Sequence, residues 1–72
     1  MSKFLFILET TKTGYSAYVP DLPGCVATGR TEEQVSQAVR EAIEFHLDGM
    51  REEGCDIPQP STTAAYAEIN NF

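Results

Sequence analysis

Apolar residues recur along this chain with three successive patterns. Residues 3–9 (KFLFILE) are apolar almost without a break. Because successive side chains alternate across a strand, Phe4, Phe6 and Leu8 share one face and Leu5 and Ile7 the other. A strand apolar on both faces is expected to be covered on both. The polar stretch TTKTG at residues 10–14, punctuated by Gly14, predicts a hairpin connection. Residues 15–19 then alternate, with Tyr15, Ala17 and Val19 on one face and Ser16 and Tyr18 on the other, and residues 25–29 read as a third short strand.

Between the second and third strands lies the rigid turn PDLPG. Pro20 and Pro23 fix φ near −65° and push the preceding residues toward extended geometry, while Gly24 tolerates positive φ. Asp21 is expected to hydrogen-bond its own nearby backbone, as turn aspartates do. A helix start follows at once. Thr31-Glu32-Glu33-Gln34 fits a capping box, in which the threonine oxygen accepts from the third helical amide and the glutamine reaches back. Glu32 and Glu33 favour the positive end of the helix dipole.

Val35, Ala38, Val39, Ala42, Ile43, His46, Leu47 and Met50 then recur at three-and-four spacing, so a helix is expected over residues 32–53, stopped by Gly54. The connector at residues 55–63 contains Pro58 and Pro60 and is expected to be extended. Residues 65–69 alternate weakly and are expected to close the sheet as a fourth strand.

These elements predict one α+β domain over residues 1–72, ordered β-β-β-α-β, with an antiparallel sheet and one helix packed on one face. A single helix covers only one side of such a sheet. The other side would carry part of the run Phe4, Leu5, Phe6 and Ile7 into water, and an exposed apolar face of that kind marks an interface. Homo-oligomerisation, as a dimer or tetramer, is therefore expected through these four residues. The competing arrangement has the C-terminal segment folding back over that face.

Composition narrows the functional classes. Apolar residues make up 42% of the 72, enough to attempt a core in a chain short enough for its core to be marginal. No apolar run approaches a membrane span or the core of a signal peptide, so no membrane partner is expected. Cys25 and Cys55 lack the density of a disulfide framework, and a reduced cytoplasmic setting is expected, with a Cys25–Cys55 bridge left open. The net charge of −6, from eleven acidic and five scattered basic residues, argues against nucleic-acid binding. It suits either a basic protein partner or simple solubility.

Catalytic chemistry is not expected. The single histidine, His46, lies in the helix's apolar stripe between Phe45 and Leu47. Neither cysteine has a metal-site or nucleophile context, and no serine lies in a G-x-S-x-G motif. A two-metal nuclease of RNase H type begins with the same element order but needs several converging carboxylates. Here the first strand carries only Glu9, Asp21 lies in the turn, and Glu32, Glu33, Glu41 and Glu44 belong to the helix cap and its solvent face. Neither a cofactor nor a metal is expected.

Several of these motifs, taken in order, resemble the HicB-like antitoxin family: Gly14-Tyr15, the Pro20-Asp21-Leu22-Pro23-Gly24 turn, Gly29 before the capping box, the helix end EAIEFHLDGMREEG, and Ile57-Pro58-Gln59-Pro60-Ser61. The resemblance runs from Phe4 to about Ile69. It implies a degenerate, partial RNase H-like fold without catalytic carboxylates, and an antitoxin of a type II toxin–antitoxin system. The implied partner is a small basic HicA-type mRNA endoribonuclease, neutralised by occlusion of its catalytic histidine and RNA-binding surface. Many family members add a C-terminal DNA-binding module; no second helical pattern or basic patch follows here, so direct DNA binding is not expected.

Candidate partner-contacting residues are Asp21 and Leu22 in the turn, Glu41, Glu44 and Asp48 on the helix, and Tyr66 and Glu68 on the expected edge strand, which would suit strand addition. The alternative reading is an orphan oligomeric binding module without a toxin.

Overall fold

Antiparallel pairing begins at the TTKTG connection, where the Thr11 amide donates to the Gly14 carbonyl at 2.8 Å. The structure, a computed structural model, describes residues 2–72. It contains β1 (Ile7–Thr10), β2 (Tyr15–Tyr18), β3 (Val26–Gly29) and α1 (Glu32–Glu52), with the strands in the antiparallel order β1-β2-β3. The register sets Leu8 opposite Ala17 and Ala17 opposite Ala27, and Ile7 opposite Tyr18 and Tyr18 opposite Val26. Alternation therefore sends Leu8, Ala17 and Ala27 to the helix side and Ile7, Tyr18 and Val26 to the other.

α1 lies on β3 and β2. Its Val35 and Val39 are fully buried together with Ala17, Val19, Leu22 and Cys25, and Ala42, Ile43, Leu47 and Met50 continue the stripe half-buried. The Thr31 hydroxyl accepts from the Gln34 amide at 3.0 Å, while the Gln34 side chain accepts from the Arg30 amide, one residue before the position a capping box would use. At the far end Gly54 takes φ +73°, its amide donating to Arg51 and that of Cys55 to Met50. That is a Schellman closure, the glycine stop expected from the sequence.

Two glycines let the layers touch. A side chain on Gly14 would collide with the Gly29 carbonyl, and a Cβ on Gly29 would sit 2.6 Å from the Val35 amide nitrogen. The start of α1 thus rests directly on β3.

The PDLPG segment forms two successive turns. Leu22 donates to the Val19 carbonyl, and Cys25 donates to that of Leu22 across Pro23 and Gly24, whose φ is +86°. Positive φ at the third turn position after proline is a type II turn. The Val19 amide donates to the Cys25 carbonyl, closing the loop and folding Leu22 into the core at 1% exposure. This geometry also shortens β1. Extending the register would put Leu5 opposite Pro20, and proline has no N–H to give to the ladder. Residues 3–6, expected within the first strand, therefore precede it.

Asp21 does not bond its own neighbourhood. Its carboxylate accepts four hydrogen bonds from residues forty positions onward: from the amides of Ser61 (3.0 Å) and Thr62 (3.1 Å) and from the hydroxyls of Ser61 (3.2 Å) and Thr62 (2.7 Å). These bonds, the Thr62 hydroxyl foremost, lower its pKa from 3.8 to about 2. They pin the connector beside the turn, with Ile57, Pro58, Pro60 and Thr62 half-buried.

Beyond Thr62 the expected fourth strand is absent. Residues 63–72 are exposed and carry no strand, with Tyr66 and Ile69 open to solvent. Three of residues 64–67 are alanines, which offer little apolar area to hold the segment to the sheet.

Gly29→Ala is expected to destabilise the fold by about 1–3 kcal/mol through overpacking. Gly49→Ala, a helix position with open space around it, should stabilise it by about 1 kcal/mol; urea titration of both variants checks the pair. Asp21→Asn at neutral pH should accelerate hydrogen exchange at the Ser61 and Thr62 amides while leaving Val35 and Val39 protected. A carboxylate with a depressed native pKa supports its contacts above the unfolded value and loses them as pH falls through the native one. The clasp of the unsubstituted chain should therefore hold above about pH 4 and open between there and about pH 2, followed as exchange at the same two amides.

Candidate partner-binding surfaces

The free surface divides into three regions. The first is the sheet face away from α1, where Ile7, Tyr18 and Val26 lie side by side across the strands. Tyr18 is 42% and Val26 64% exposed. Leu5, just before β1, and Ile7 are half-buried. Phe4 and Phe6, expected in this interface, instead pack against the core cluster. With Ile43 and Leu47 they line a shallow groove beside α1. The large apolar side chains exposed on this face are Tyr18 and Val26, with Ile7 half-buried beside them.

The second region is the outward side of α1. Glu41, Glu44 and Asp48 are exposed, as expected. Glu41 accepts a hydrogen bond from Gln37 at 2.9 Å, and Asp48 pairs with Arg51 at 2.9 Å. Both partners of that pair are more than half exposed, so the pair adds little to stability. Among these acids stands Phe45, 81% exposed. Its position was legible: Phe45 is four residues after Glu41 and three before Asp48, which places it on the polar side of the helix.

The third region is the tail, where Tyr66 and Glu68 are exposed on a segment without strand pairing. Of the two turn residues, neither is a free contact. Leu22 is buried because the double turn folds it inward, and the Asp21 carboxylate is committed to Ser61 and Thr62.

Reactive groups are dispersed. His46 is half-buried in the helix stripe. Both cysteines are free; Cys25 is buried, which pushes its thiol pKa up, and Cys55 is exposed. Among the described residues no three His, Cys, Asp or Glu side chains gather as a metal site would require, and no helix is long and apolar enough to cross a membrane.

Residues 4–72 match the family described as HicB_like antitoxin of bacterial toxin-antitoxin system. An uncharacterized 14.9 kDa protein of Haemophilus phage HP1 is 36% identical over 59 residues, covering 82% of this chain and 44% of its own length. A UPF0150 protein of Helicobacter pylori is 42% identical over 41 residues, 57% of each chain. The chain therefore spans about half the length of these relatives. Among solved structures, a chain of a HicA3 and HicB3 toxin-antitoxin complex superposes with a TM-score of 0.67 at 31% identity, covering 81% of this chain and 66% of that one. The match across nearly every residue, on a fold of three antiparallel strands followed by one helix, makes this chain a member of the HicB-like antitoxin family.

Proposed function

We propose that this chain neutralises a small basic ribonuclease of the HicA type by binding it and covering the surface that would take RNA. The observation that carries the reading is the exposed acidic side of α1 on a chain of this family with net charge −6. An acidic face competes with RNA phosphates for the same cations and speeds encounter with a basic partner. Inhibition of this kind needs affinity and coverage, with no chemistry by the antitoxin.

A second part of the reading concerns self-association. The apolar row Ile7–Tyr18–Val26 lies open on the sheet face that α1 does not cover. Neighbouring apolar side chains presented together in this way favour burial against an identical face. The proposed assembly is a homo-oligomer through that face, with the acidic side of α1, which belongs to the opposite layer, left for the toxin.

The product of the adjacent gene is expected to be a small basic protein that arrests growth when expressed alone, and co-expression with this chain should restore growth and yield a complex that survives purification. The absence of both rescue and complex would contradict the antitoxin reading and favour an oligomeric module without a toxin. Light scattering on the purified chain should give a multiple of the monomer mass, and Tyr18→Lys should return it toward the monomer. A monomeric unsubstituted chain would contradict the proposed self-association.

A further inference from the structure

Phe45 has no structural employment in its own chain. It lies in a regular helical stretch, is 81% exposed, and does not join the hydrophobic cluster that Ala42, Ile43 and Leu47 support. Its ring stands on the polar side of α1 with Glu41 one turn before it and Asp48 and Glu52 after it, and Gly49, one turn on, leaves open space beside it. An aromatic ring surrounded by carboxylates is a poor surface for solubility alone. It has the form of an interface anchor: one large rigid apolar group with a charged rim.

The charge of that rim selects the occupant. A second copy docked here about a two-fold axis would bring the Glu41, Asp48 and Glu52 carboxylates of one copy against those of the other. Nucleic acid and anionic lipid would meet the same repulsion. We propose that Phe45 is the anchor through which this chain engages its basic protein partner, inserting into an apolar pocket that the partner borders with lysine or arginine. The proposal rests on the toxin-binding reading above and assigns it a residue. Glu41 and Glu52 face the pocket's cationic border, and Asp48 joins them when its bond to Arg51 is exchanged for a partner cation.

The test is the affinity of the purified chain, unsubstituted and Phe45→Ala, for the product of the adjacent gene, measured by titration calorimetry at low and high salt. Because Phe45 is exposed and alanine is the better helix former, the variant should keep the unsubstituted melting curve. The expected result is a loss of affinity of about 10-fold or more, the scale of an interface anchor. Binding by the unsubstituted chain that weakens with salt would support the cationic border. A loss smaller than that, with the unsubstituted chain binding, overturns the anchor and leaves the toxin reading standing. No binding by the unsubstituted chain overturns the toxin reading and the anchor with it.

Discussion

Three stretches of backbone meet in direct contact at one end of this molecule, and the rest of the structure follows from that contact. Gly14 lies under the Gly29 carbonyl, and Gly29 lies under the first turn of α1 at Val35. With no side chain between the layers, Val35 and Val39 reach Ala17, Leu22 and Cys25 and seal a core of six buried residues. In a chain of 72 residues, where burial is marginal, close approach replaces bulk. The double turn at residues 19–25 completes the arrangement by sending Leu22 inward and fixing Asp21 where Ser61 and Thr62 bind it.

The same economy leaves surfaces unspent. Strands of four residues extend about 13 Å, whereas α1 at 21 residues runs about 31 Å, so much of the helix overhangs the sheet. The inner stripe of that overhang is only half-buried, and its outer side carries Phe45 among acids. One sheet face holds an uncovered apolar row. A protein so built presents several surfaces for contact, which fits a family described as HicB_like antitoxin.

Much of the fold was legible in the sequence. The helix bounds, the capping threonine, the glycine stop and the hairpin each depend on neighbours within a few positions, where local physical chemistry decides. What was not legible depends on distant neighbours. Asp21 reads locally as a turn aspartate because nothing near it announces Ser61 and Thr62. Leu22 reads as a turn tip, although two consecutive turns fold it under the sheet. Phe4 and Phe6 read as candidates for an open face because alternation alone does not say which side the helix covers; sharing Leu8's side, they pack against the core cluster. Residues 65–69 alternate like a strand yet meet no partner strand in their own chain. Of the candidate contacts, Glu41, Glu44 and Asp48 were found from helical periodicity. Phe45, on the same side by its spacing from Glu41 and Asp48, is not among those candidates because only the acids of that side were read as contacts.

The central claim is that this chain acts by binding through the outward side of α1. Hydrogen exchange of the full chain, alone and with the adjacent-gene product, measures that directly. Added protection concentrated in α1 around Glu41, Phe45 and Asp48, with the double turn unchanged, is the predicted result. Protection confined to β1, β2 and β3 with α1 unchanged would contradict it.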